Sequence, residues 1–274
     1  MPADWRSWTR DWPPEAVADA LFDGALVVFR DIAPLAELGA RVRGIVEGAF
    51  GGEDPATAEA ALSPETFRKC VTGARKAVAG DPELDACWRA VLGEIGLDPA
   101  ALYRDRLRLR VVPSRADRRC RYATPLAAHR NTWGSSIQAQ VNWWLPLYPP
   151  VATRTMAIWP DLFRRPVANT SAEWDFNELA TRLVADPRTD YPNLPLARHA
   201  PREGAELVLL EPGELLAFSG AHLHGSVSDA SSVSRFSLDT RTVWTEDLVR
   251  QRAAPNVDGA GRQEHWQWFT APAA

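Results

Sequence analysis

The chain changes its apolar period once, near residue 105, and never changes back to a repeating strand–helix alternation. Before that point apolar residues recur at helical spacing, as at Leu35, Leu38, Val42, Ile45, Val46 and Ala49 within 34–49. Pro13-Pro14-Glu15 predicts another helix start, running through 16–22 to Gly24. Residues 25–29 (ALVVF) form an apolar run of strand length, and 53–101 hold two or three helices punctuated by prolines. After residue 105 the period is two: Leu107, Leu109 and Val111 alternate with Arg106, Arg108 and Arg110. Further strands are predicted over 137–147, 155–159, 206–211, 214–219 and 234–244. Helices followed by antiparallel-looking strands predict an α+β fold or a helix-decorated barrel. With no strand–helix–strand unit, no G-x-G-x-x-G and no G-K-[ST], dinucleotide-binding and P-loop folds are excluded.

Composition narrows the function. The 274 residues carry 31 basic and 35 acidic side chains, a net charge of −4, which argues against a dedicated nucleic-acid binder. No stretch of about 18 apolar residues is present, and the polar N-terminal segment lacks the apolar centre of a signal peptide, so no membrane association is expected. Cys70, Cys87 and Cys120 are an odd number without a C-x-x-C pair, which predicts free thiols and a cytoplasmic setting. Cys120, between Arg119 and Arg121, reads as structural.

Three of five histidines stand in informative surroundings. His129 lies in AHRNTW, just before the predicted strand 137–147, and His222 and His224 lie in AHLHGS after another. Mononuclear non-haem iron oxygenases bind their metal on one face with two histidines and a carboxylate, leaving positions open for a chelating co-substrate and oxygen. A downstream arginine suits the far carboxylate of such a co-substrate, because its planar fork matches a carboxylate in bidentate fashion. Arg235 follows His224 by eleven residues. The strand 137–147 would set Gln138, Gln140, Asn142 and Trp144 on one face, read as pocket lining, and Ile137, Ala139, Val141, Trp143 and Leu145 on the other. The arginine stripe 106/108/110 reads as a solvated face, and His199 and His265 as surface residues.

The stretches LAAHRNTWGSSIQAQVNWWLPLYP, TMAIWPDLFRRPVANTS and PGELLAFSGAHLHGSVSDASSVSRFSLDTRTV resemble the phytanoyl-hydroxylase-like branch of the Fe(II)/2-oxoglutarate-dependent oxygenases, and GALVVFRDI and RLRLRVVP resemble its early strands. The resemblance covers about residues 105–245. It implies a double-stranded β-helix, a cupin-like jelly roll, with the N-terminal helices packed outside. It implies Fe(II) and 2-oxoglutarate as cofactors, molecular oxygen as co-substrate, and a small or medium-sized metabolite as substrate. The chain is then one domain: 1–104 as helical support, 105–245 as the jelly-roll core with 161–205 inserted as a lid, and 246–274 as a tail. By the same resemblance His129, Asn131 and His224 are the metal positions, with His222 as rival to His224. Arg235, Ser237, Gln140 and Asn142 fall to the co-substrate, with Arg241 as an alternative anchor. Trp133, Trp144, His222 and Asn169 are assigned to substrate contacts, with Asp161, Phe163 and Trp174 as further candidates in the lid.

One position departs from the pattern. Asn131 stands where the family carries Asp or Glu. Its amide oxygen is a neutral and poorer partner for a hard cation. Four readings stay open: ligation through the amide oxygen, a two-histidine site as in halogenases, a variant made to trap an inactive complex, and a catalytically silent or non-oxidative protein that binds a ligand in the former active site.

Overall fold

The chain's structure is a computed structural model that describes residues 3–272 apart from Arg188, Ala200 and Arg202. The helical period of the first third is realised in α1 (Pro14–Asp23), α2 (Ala33–Phe50), α3 (Pro64–Gly80) and α4 (Pro82–Glu94). Each has proline in its first turn, where a missing N–H costs nothing. Ser63 and Asp81 cap α3 and α4 by accepting from Thr66 N and Glu83 N. Gly24 ends α1 at φ 106°, a left-handed conformation that glycine adopts without strain.

Among the described residues, ten strands follow the chain as β1 (Trp5–Ser7), β2 (Leu26–Phe29), β3 (Leu102–Arg104), β4 (Arg108–Val112), β5 (Gln140–Pro146), β6 (Met156–Ile158), β7 (Glu206–Val208), β8 (Leu215–Ser219), β9 (His224–Ser226) and β10 (Arg235–Trp244). Of the later helices, α5 (Asn131–Ser135) and α6 (Phe176–Ala185) fall between strands and α7 (Thr245–Val249) follows β10. The larger sheet runs β1-β2-β8-β5-β10, and β10 then pairs with β4 along its first half and β3 along its second. The smaller sheet runs β7-β6-β9. The fold is therefore mixed α+β with two sheets.

Strand alternation decides what each face meets. Val27, Phe29, Trp143, Leu145, Leu215, Phe236 and Leu238 pack with the apolar stripes of α2, α3 and α4. The alternate residues Leu26, Val28, Trp144, Leu216 and Phe218 pack against Met156, Ile158 and Val208 of the smaller sheet. The larger sheet thus has one face on helices and one on the second sheet. Where the inner face turns polar, along β5, β10 and β4, the sheets leave a cavity of about 440 Å³.

The arginines of β4 face this cavity rather than solvent. This corrects the expectation of a solvated stripe for Arg108 and Arg110. The period was right, but the face opposite Leu109 and Val111 is covered by a second layer. Only Arg106, before the strand, is exposed, and it too borders the cavity. The predicted strand over 137–147 begins at Gln140, and the segment 161–205 contains α6.

Candidate metal and co-substrate site

His129 and His224 are 95 positions apart in sequence and face each other across a short antiparallel bridge. His129 N donates to His224 O at 2.9 Å, and His224 N donates to His129 O at 3.0 Å. Such a doubly bonded pair sets both side chains on the same side. The imidazole centroids are 4.2 Å apart, and both rings border the cavity. Gly225 permits this approach, because a Cβ there would lie 3.1 Å from Ala128 N.

The tautomers follow from the second nitrogens. His129 Nδ1 donates to Ala127 O at 2.8 Å, and His224 Nδ1 donates to His222 O at 2.9 Å. Carbonyls only accept, so each Nδ1 carries the proton and each Nε2 keeps a lone pair, the form that binds a metal. Burial lowers both pKa values, well below the usual range for His129, where the neighbouring His224 adds to it, and to about 4 for His224. The pair is neutral at physiological pH.

Burial likewise pushes His222 to about 4. All three histidines therefore take up protons more readily unfolded than folded. Stability is full above pH 6.5 and falls as the pH drops towards 4, with a slope approaching three protons. Urea unfolding at pH 7.5, 6 and 5 checks this. A midpoint constant over that range would contradict the neutral burial of these rings.

Asn131 opens α5 beside the pair and borders the cavity. Its Oδ1 accepts from Asn142 Nδ2 at 3.2 Å, and Asn142 Oδ1 accepts from Gln140 Nε2 at 2.7 Å. Asn142 is on the cavity wall and Gln140 lies behind it, so Gln140 acts on the site through Asn142. Among the described residues no group of three His, Cys, Asp or Glu side chains converges. The donor set is two imidazoles and an amide.

Arg235, at the start of β10, is 7% exposed and borders the same cavity. Among the described residues its Nε and Nη1 are buried without a partner, and Nη2 reaches only Ser226 Oγ at 3.5 Å. Burial lowers its pKa to about 10, so it remains a cation. A buried guanidinium with two orphaned donors is costly unless an anion completes it. The rival anchor Arg241 is already neutralised: its Nε donates to Asp105 at 2.8 Å, and it stacks 4.7 Å over the Trp268 ring. The side chains thus fit a metal at the histidines and a carboxylate at Arg235.

Several expected residues lie elsewhere. His222 is fully buried in the turn before β9, its Nε2 3.1 Å from Gly24 O and its ring against Phe163. The turn breaks the extended run that would have aligned it with His224. Trp133 sits behind the wall, its indole donating to Asp258 at 2.7 Å. Asn169 is spent on Val167 O, Asp258 O and Ser171. Ser237 is buried and donates to Asp239 at 3.3 Å, so the hydroxyl beside Arg235 is Ser226. Phe163 packs under Gly24 in the main core. His265 is not a surface residue, since it packs among Trp174, Phe176 and Trp268. Trp144 does border the cavity, its indole nitrogen unpartnered. Asp239, which pairs with Arg110 at 2.8 Å, escaped notice in the sequence, as did Phe176 and Leu179, while Trp268 belongs to the aromatic tail HWQWF, whose docking the sequence suggests. The signal for Ser226 and Asp239 was present in H-G-S and in the β10 alternation.

No family model matches the chain, and no curated protein matches it. Solved structures do. EvdO2 from Micromonospora carbonacea var. aurantiaca is 13% identical, with a TM-score of 0.49 over 93% of this chain and 96% of that one. The non-heme alpha-ketoglutarate-dependent carbocyclase SnoK from nogalamycin biosynthesis is 16% identical, with a TM-score of 0.45 over 95% and 97%. EctD from S. alaskensis is 20% identical, with a TM-score of 0.44 over 100% and 90%. At these values the likeness says nothing of this chain's chemistry, which its own side chains must carry.

Proposed function

We propose that the chain is a jelly-roll oxygenase of the Fe(II)/2-oxoglutarate-dependent kind, acting on a small metabolite. The observation that carries this is one cavity bordered by two paired imidazoles with free Nε2 lone pairs and a buried, unpaired arginine. Bound there together, Fe(II) and 2-oxoglutarate supply with molecular oxygen the oxidising power for C–H chemistry that no side chain has.

The chain's own residues bind and orient. His129 and His224 present Nε2 as metal donors, each fixed by its Nδ1–H on a backbone carbonyl. Arg235 takes the far carboxylate of 2-oxoglutarate, which satisfies its orphaned donors. Asn131 is the third metal position, and Asn142 holds its amide in place. Trp144, Met156 and Phe218 form the dry wall between the sheets that keeps bulk water from the reacting centre.

Asn131 makes the reading testable. Asn142 Nδ2 already donates to Asn131 Oδ1, so an isosteric carboxylate at that position keeps its partner. Asn131→Asp should tighten Fe(II) binding on the order of tenfold or more, equivalent to about 1.4 kcal/mol or more. It should also raise succinate release from 2-oxoglutarate. Metal titration of both proteins checks it. Equal affinities would mean that residue 131 does not face the metal.

A further inference from the structure

The charge of the cavity wall exceeds anything the metal and 2-oxoglutarate need. Among the described residues, seven arginines border it against two carboxylates, Asp105 and Asp239, with no lysine or glutamate on the wall. With its histidines neutral, the wall carries an excess of five positive charges. Fe(II) and 2-oxoglutarate bring charges of +2 and −2, so loading the site leaves that excess in place. Asp239 is paired with Arg110, and Asp105 is shared between Arg241 and Arg108. Among the described residues no carboxylate pairs with Arg75, and its guanidinium is held only by the Leu109 and Tyr122 carbonyls and the Tyr122 ring. Arg108 is half-committed, its Nη2 on Asp105 at 3.0 Å and its Nε buried without a partner.

Apart from Asn193, whose Oδ1 accepts from Arg121 Nη2 at 2.6 Å, the side of the cavity formed by the inserted segment is apolar. Asp175 caps α6 by accepting from Glu178 N at 2.8 Å, and the helix presents Phe176, Leu179 and Leu183 to the cavity, at positions one helical face shares. The Trp268 ring continues this wall. One side therefore offers fixed cations and the other an apolar, aromatic surface.

We infer that the substrate is an organic anion, a carboxylate or phosphate ester with an apolar or aromatic body, whose charged end is held by Arg108 and Arg75 and whose body lies under α6. This rests on the oxygenase reading only in taking the cavity for the substrate site. A low-dielectric cleft of one sign attracts the opposite charge and excludes cationic amines. Arg235 lies apart in role, since its donors serve the co-substrate.

Calorimetry on the full chain, saturated with 2-oxoglutarate, tests the inference with phenylacetate, phenyl phosphate, acetate and the neutral isostere phenylacetamide. At least one aromatic anion should bind on the order of tenfold or more tighter than phenylacetamide, a difference of about 1.4 kcal/mol or more. Whichever of phenylacetate and phenyl phosphate binds more tightly assigns the headgroup, and acetate should bind more weakly than phenylacetate. Arg108→Gln leaves the Asp105–Arg241 pair intact and should remove most of the preference for the anion while leaving 2-oxoglutarate affinity unchanged. Arg75→Gln, on a different element, should do the same. The titration is repeated in Arg235→Ala, where loss of 2-oxoglutarate binding with retention of the aryl anion separates the two subsites. If phenylacetamide binds as tightly as both anions, or if neither arginine variant changes the ratio, the inference is overturned whatever becomes of 2-oxoglutarate. If acetate binds as tightly as phenylacetate, the apolar half fails.

Discussion

Arg235→Met should cost the protein its affinity for 2-oxoglutarate while leaving it at least as stable as the parent chain. Both halves come from one fact: the guanidinium is 7% exposed, with Nε and Nη1 unpartnered. Without a bound anion, a buried unpaired cation destabilises the fold, and an apolar side chain of similar volume relieves that cost. With 2-oxoglutarate present, removing the cation leaves the ligand's carboxylate uncompensated. That typically costs about 3–5 kcal/mol, or roughly two to three powers of ten in affinity. Arg241→Met should behave in the opposite way, since it strips a partner from Asp105, which is 4% exposed. Thermal melts with and without 2-oxoglutarate read both effects at once. A ligand-induced rise in melting temperature that survives Arg235→Met would move the anchor elsewhere.

Asp258→Ala should be the most damaging single change outside the cavity. Asp258 lies in the C-terminal tail, yet its carboxylate takes Arg130 Nε at 3.1 Å, Trp133 Nε1 at 2.7 Å and the Val167 amide at 2.9 Å. Arg130 is 1% exposed. Breaking a buried pair by removing one member costs about 3–5 kcal/mol, a large share of a domain's net stability. Arg130 also stands between His129 and Asn131 in sequence and donates to Leu162 O and Arg165 O, tying the proposed metal segment to the loop after β6. Metal affinity should therefore fall together with stability. Denaturant unfolding and a metal titration on Asp258→Ala measure the two, and a loss of less than about 1 kcal/mol would show that the tail does not brace the site.

Much of this was legible in the sequence where one residue pattern had one physical meaning. The α2 stripe and the two-residue period of β5 emerged as expected because helix and strand bury their faces at fixed intervals. His129, His224 and Arg235 were singled out by the resemblance of AHRNTW, AHLHGS and the Arg235 spacing, and the structure brings all three to one cavity. What periodicity cannot supply is the identity of the layer that covers a face. The β4 arginines alternate as on a wet strand, but the smaller sheet and α6 close over them. Trp133 and Asn169 looked like pocket residues until a tail residue far along the chain, Asp258, claimed both. His222 and His224 share strand parity, and only the turn at 220–223 separates them. The α6 helix was readable in principle, since Asp175 and Glu178 have the capping spacing and Phe176, Leu179 and Leu183 the helical one. It was masked by the surrounding prolines. Strand β9 has three residues and meets His129 through a single bridge, too little for any pattern.

In the proposed site His129 and His224 hold Fe(II) within reach of a 2-oxoglutarate anchored by Arg235. Anaerobic optical titration of the Fe(II)-loaded chain with 2-oxoglutarate tests it most directly, because the visible charge-transfer band arises only when the co-substrate chelates the metal. The parent chain should show a saturable band, stronger in Asn131→Asp and absent from His224→Ala. A band that persists in His224→Ala, or no band in either the parent or Asn131→Asp, would contradict it.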